Sequence, residues 1–360
     1  MKHLRNITSL LIIVFASLFL LETSLRLLRF QLVPLVSQSN SPYIYVEDSQ
    51  TGYRYAPNST GEVHRNFEMD NVVKINSKGF HDIEHTAVQL SDKRKIVAIG
   101  DSFTAAVHVQ VEDTWTQVLG RELRQLDDET STEVINLGLD STGTDIQLML
   151  LRQNLATYEP DIVILAFYRN DIRDLQRSKR FREGYEGYVL TFESEDQKEE
   201  LRLHVDTNKP SATSRWLFDN IYLFRLANWL LGTGELLSSN KVSPSMLNKP
   251  MPSPQVQPHN IDKYLMDLKY LSEKQNFKLL IIPVPAKDSA TDSLQVLTSN
   301  ASPEVLADLK IIDISKQMDD LLESKGLDYS DLFWEYDGHF NEAGNELYGA
   351  AVAMVLQAEH

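Results

Sequence analysis

The stretch KIVAIGDSFTAAV, residues 95–107, decides the fold. Four apolar residues, Ile96 to Ile99, run into Gly100-Asp101-Ser102, and small residues follow. A short apolar run closed by a glycine turn is the mark of a strand buried on both faces. The pattern returns at EVINLG (133–138), DIVILAFY (161–168) and FKLLIIPVP (277–285), with a shorter fifth run, LKIIDI (309–314). Helical stretches lie between them, TDIQLMLLRQNLATY (144–158) and IDKYLMDLKYLSEKQ (261–275), and NEAGNELYGAAVAMVLQ (341–357) follows the last. Strands alternating with helices predict an α/β fold, a mainly parallel five-stranded sheet with helices on both faces.

Charge narrows the possible partners. The 360 residues carry a net −16, and residues 1–30 hold Lys2, Arg5, Arg26 and Arg29 against Glu22, which leaves −19 on the rest. Such a surface repels phosphate backbones, and no basic stripe offsets it, so nucleic acid is excluded as a partner. With no cysteine there can be no disulfide, thiolate metal site or cysteine nucleophile.

The segment MKHLRNITSLLIIVFASLFLLETSLRLLRF has a basic head and no charge from Asn6 to Leu21. Those residues span about 24 Å as a helix, and continuing to Leu28 reaches the ~30 Å of a bilayer core if Glu22 sits near the far interface. The small residues of a cleavage site do not follow the apolar run directly, although Ser37 and Ser39 have suitable spacing further on. Residues 1–30 therefore read as a single membrane anchor rather than a cleaved signal. Lys2 and Arg5 place its amino end in the cytoplasm and the remaining chain outside.

Residues 31–92 are punctuated by Gly, Asn and Ser and read as a β-rich segment of hairpins. Residues 93–360 form the main domain, interrupted at about 173–260. That insertion holds the acidic run ESEDQKEE (193–200), read as a solvated face. It also holds an apolar helix bounded by Ser214 and Gly232, and a proline-rich loop. That helix packs on the core, forms a lid or touches the membrane.

In α/β sheets, ligands sit beyond the carboxyl ends of the strands. After the first strand comes Gly100-Asp101-Ser102, after the second Asn136-Leu137-Gly138, after the third Tyr168-Arg169-Asn170-Asp171. Asp337-Gly338-His339 follows a later loop. A hydroxyl, a glycine amide, a carboxamide and an Asp/His pair are what acyl transfer at an ester needs. Imidazole takes the serine proton, a carboxylate holds the imidazole, and fixed donors receive the oxyanion. A lone Gly-Asp-Ser arises by chance in roughly one chain of this length in ten, so the combination carries the reading.

The four segments GDSFT, NLGLDSTGT, YRND and DGHFNEAG resemble the blocks of the SGNH (GDSL-type) hydrolase family, in that order. With the front stretch TGYRYAPN…INSKGF and the apolar N-terminus, the chain is similar to a membrane-anchored bacterial branch of it. The resemblance implies a flavodoxin-like fold with Ser102 as nucleophile, Ser102, Gly138 and Asn170 as the oxyanion hole, His339 as base and Asp337 orienting it. Two positions depart from the family. Its last block usually has Asp three residues before His, where Tyr336 stands here, with Glu335 as a weaker candidate; and Tyr168 replaces an opening Gly, narrowing the site.

The expectation is a serine esterase needing no metal or cofactor. Its expected partner is a small-molecule or glycan ester, an acetyl or short-acyl ester of an envelope carbohydrate or lipid. The Asp-x-His spacing also occurs in relatives that O-acetylate polysaccharides, so an acyltransferase stays open, as does an inactive binding module. His81 and His85 have i, i+4 ligand spacing but no third ligand nearby. His108 reads as a loop histidine or a substrate contact, Asp101 as a brace for the turn, and Trp115 as helix packing.

Overall fold

The computed structural model describes residues 2–27, 44–48, 51–65, 69–126, 132–176, 181–184, 188–195, 198–205, 217, 221–230, 261–287, 289–335 and 337–358. The N-terminal segment, with its charge-free run Asn6 to Leu21, forms one helix, Lys2–Leu27. Within it Thr8–Leu27, 20 residues, is long and apolar enough to cross a membrane. Large side chains from Leu10 to Leu21 stand exposed along it.

Two antiparallel hairpins come next. β1 (Tyr45–Asp48) pairs with β2 (Gly52–Tyr55), and β3 (Thr60–Arg65) with β4 (Met69–Lys74). Their alternation buries Tyr53, Tyr55, Val63 and Val73. These join the same apolar cluster as Val97, Ile99, Val163 and Leu165 of the strands that follow. The β-rich front thus packs on the sheet.

β5 (Arg94–Gly100), β6 (Thr132–Asn136) and β7 (Ile162–Phe167) come from the first three apolar runs. Between β7 and the fourth run lies a separate antiparallel sheet of β8 (Phe181–Gly184), β9 (Tyr188–Glu195) and β10 (Lys198–Val205). β11 (Lys278–Pro283) then completes a parallel sheet of order β6-β5-β7-β11. Period-2 alternation sends Val97, Ile99, Val163, Leu165 and Ile281 to one face, against helices Thr144–Tyr158 and Asp262–Gln275. Ile96, Ala98, Ile162, Ile164 and Ile282 face the other way, against helices Trp115–Leu126, Ser315–Lys325 and Glu342–Ala358. Both faces are covered, as expected for near-continuous apolar strands.

The five-stranded expectation needs correction. Among the described residues the sheet has four strands, and LKIIDI adds one parallel bridge, Ile311 to Ile281, at the β11 edge. Ile311 and Ile312 are only half-buried, so this edge has little apolar area to hold a longer ladder. In the insertion, the apolar stretch is helical over Tyr222–Leu230. Ser214 and Gly232 lie outside the described residues. Glu22 of the N-terminal helix accepts from the backbone N–H groups of Tyr222 and Leu223 at 3.2 and 2.7 Å, serving as the cap.

Chain direction fixes where a ligand can sit. From β5 the chain steps to β6 on one side, then crosses to β7 on the other, so the strand order reverses at β5. In α/β sheets such a reversal is where ligands sit, beyond the carboxyl ends of the strands, and Ser102 and Asn170 follow β5 and β7.

Candidate active site

Ser102 opens a single helical turn, Ser102–Ala105, directly beyond β5. The first N–H of a helix has no partner within it, so this position offers a donor beside the serine oxygen. Asp101 builds the turn: its carboxylate accepts from Phe103 N–H at 2.9 Å, and Ala106 ends it in the left-handed region at φ 50°. His81 supports the turn from outside, its Nδ1 donating to Ala105 O at 2.8 Å, and burial holds this imidazole neutral by lowering its pKa.

His339 comes from a compact loop before helix Glu342–Ala358. Gly338 at φ 84° makes the corner, Trp334 N–H donates to His339 O at 2.9 Å, and Gly338 N–H donates to Trp334 O at 3.0 Å. The loop aims the imidazole at the serine: His339 Nε2 is 2.8 Å from Ser102 Oγ, and Nδ1 is 2.5 Å from Asp337 Oδ1. That pattern assigns Nδ1–H as donor to the carboxylate and leaves Nε2 to accept from the hydroxyl. Asp337 is 4% exposed by side chain, whereas Glu335 lies exposed, with its carbonyl accepting from Lys287 at 2.7 Å.

Asn170 sits beyond β7 with its carboxamide against the Asp101 carboxylate. Behind it Asp101, Asp171 and Asp174 are all buried. Burial raises the pKa of Asp101, and burial together with the charges of Asp101 and Asp174 raises that of Asp171.

Gly138 departs from its expected part. Its N–H donates to Asn136 Oδ1 at 2.8 Å and so is not offered to the serine. What its bareness provides is close approach: a Cβ there would lie 2.2 Å from Ala105 N and 2.5 Å from Thr104 C. Both contacts are to backbone of the Ser102 turn. Gly138→Ala is therefore expected to lower the unfolding free energy by about 3 kcal/mol or more. A thermal melt checks this, and an unchanged midpoint would show that the turn yields.

Other expectations find their places. Tyr168 packs its ring 4.1 Å from that of Phe103, which also touches His339 at 5.0 Å. Trp115 is fully buried, edge-on to Tyr348. His85 bonds Asp82 at 2.9 Å rather than sharing an ion with His81, and residues 81–86 are not helical. Among the described residues the one group with ligand-like proximity is His108, Asp337 and His339. The two imidazoles in it are stacked, with planes 12° apart, so their in-plane lone pairs cannot converge on one ion. His108 does lie in a loop, and nothing in its spacing links it to His339.

No protein-family model matches this chain, and no curated protein matches it. Among solved structures it is similar to a lipolytic protein of the G-D-S-L family from Desulfitobacterium hafniense DCB-2, at 13% identity over 73% of this chain and 99% of that one, TM-score 0.37. It is also similar to a lipase/acylhydrolase from Enterococcus faecalis, at 19% identity over 74% and 96% of the two chains, TM-score 0.35. A third is an acetyl xylan esterase, at 13% identity over 73% and 99%, TM-score 0.37. Likeness this distant carries no inference about chemistry, which rests on the site itself.

Proposed function

We propose that this protein is a serine-dependent ester hydrolase working through an acyl–Ser102 intermediate. One observation carries the reading: a continuous relay from Asp337 Oδ1 through His339 to Ser102 Oγ, at 2.5 and 2.8 Å, at the mouth of the sheet's switch point.

In this mechanism Ser102 Oγ attacks the ester carbonyl as its proton passes to His339 Nε2. The imidazolium is held by Asp337. The oxyanion is received by the Ser102 N–H and an Asn170 amide N–H, while Gly138 keeps the strand end close to the turn. Collapse breaks the ester C–O bond, and the alcohol leaves with the proton from Nε2. Water then attacks the acyl-serine with His339 again as base, releasing the carboxylic acid and restoring the hydroxyl. Preorganised donors in a site this buried contribute several kcal/mol each to such a step.

The helix Lys2–Leu27 supports a single anchor at residues 1–30, with residues 31–92 as a β-rich brace and 93–360 as the catalytic domain bearing the 173–260 insertion outside the cytoplasm. An anchored esterase meets esters of the envelope, so the favoured substrate is an acetyl or short-acyl ester of a carbohydrate or lipid.

Acid-quenched mass spectrometry on p-nitrophenyl acetate tests the reading. An acetyl adduct on the Ser102 peptide that decays in water is the expected result. An adduct that persists until a sugar acceptor is added would replace hydrolase with acyltransferase, and no adduct would overturn both.

A further inference from the structure

A second imidazole lies against the relay without taking part in the steps above. His108 follows the Ser102 turn and is 3% exposed. Its ring lies flat on that of His339, with centroids 3.9 Å apart and planes 12° apart. Its Nε2 stands 3.7 Å from Asp337 Oδ1, the same oxygen that receives His339 Nδ1–H.

The backbone around His108 is clamped. Asn71 of β4, 4% exposed, donates to the carbonyls of Val107 and Val109 at 2.8 and 2.5 Å, and its own oxygen accepts from Gln110. One buried carboxamide thus holds both neighbours of His108, and it comes from the hairpin packed on the sheet.

The groups facing His108 are His339, Asp337, Asp140 and His81. Burial, helped by His339, pushes its pKa down to about 3 against the pull of Asp337 and Asp140. The downward shift favours the neutral ring. A neutral ring suits this place. When His339 becomes an imidazolium, a cation at 3.9 Å would oppose that charge, whereas a π face attracts it. Asp337 restrains His339 at one edge, and a flat neighbour blocks rotation out of that plane. With so little exposure, His108 has almost no surface to offer a substrate.

We propose that His108 is a positioning residue, a flat plate that holds the His339 ring in the plane joining Ser102 to Asp337. The inference rests on the Ser102–His339–Asp337 reading above.

The test uses the full chain in detergent, with p-nitrophenyl acetate turnover and fluorophosphonate labelling of Ser102 as readouts. His108→Ala should lower kcat and the labelling rate by about tenfold while KM stays within about twofold. His108→Phe, which keeps a flat ring and loses both nitrogens, should recover most of that loss. His108→Gln, close in size but without a ring, should behave as His108→Ala does and serves if the alanine variant does not fold. Three outcomes overturn the proposal: wild-type rates in His108→Ala and His108→Gln, a loss confined to KM, or His108→Phe no better than the ring-free variants. Ser102→Ala runs beside them. If it still labels, the active-site reading itself has failed; if it is silent while His108 variants are unaffected, only the present inference falls.

Discussion

Ser102→Ala is expected to reduce kcat on p-nitrophenyl acetate by about 10^6-fold, roughly 8 kcal/mol of barrier. Under the proposed roles, His339→Ala should cost about as much, and the double variant no more than either alone. The reason lies in the 2.8 Å contact between Ser102 Oγ and His339 Nε2. A base without its nucleophile, or a nucleophile without its base, gives the same residual activity, which comes from the donors and substrate binding alone. Initial rates for the four proteins decide it. Costs that multiply in the double variant would mean that Ser102 and His339 act in separate steps.

Asp337→Asn should lower kcat by about 10^4-fold with the fold intact. Asparagine can present its amide N–H to His339 Nδ1, which selects the tautomer with the proton on Nε2. That nitrogen then points a hydrogen at Ser102 and cannot take one. Glu335→Gln should leave the rate within about twofold, since an exposed side chain has no part in the relay. If Glu335→Gln cost more than Asp337→Asn, the orienting carboxylate would have been misassigned.

The parts of this molecule that local pattern dictates were readable in advance. Helix Thr144–Tyr158 has the bounds its periodicity implies, and the first four apolar runs became the parallel strands. LKIIDI adds only the Ile311–Ile281 bridge beside β11, because its half-buried isoleucines contribute little apolar area there, and sequence does not mark how much of a run the fold will bury. Gly138 illustrates another limit. A glycine after a strand announces close approach, and the structure places it against Ala105; that Asn136, two residues earlier, folds back onto its N–H is a matter of side-chain rotamer. The pairing of His108 with His339 spans the length of the domain, and no periodicity encodes such a contact. The i, i+4 spacing of His81 and His85 presumed a helix, but each histidine there answers a different neighbour, Ala105 and Asp82.

The two ends of the relay are made at very different times. Ser102 and His339 are 237 residues apart in the chain. Asn345, from the same helix that carries the histidine loop, also caps helix Trp115–Leu126 by accepting from Trp115 N–H at 3.0 Å, across 230 residues. At a synthesis rate of about 5–20 residues per second, the serine waits on the order of 10–50 s for its base. Throughout that interval the hydroxyl is an ordinary alcohol, inert toward every ester it meets. Under the proposed mechanism, turnover begins only when helix Glu342–Ala358 docks and brings His339 to Ser102.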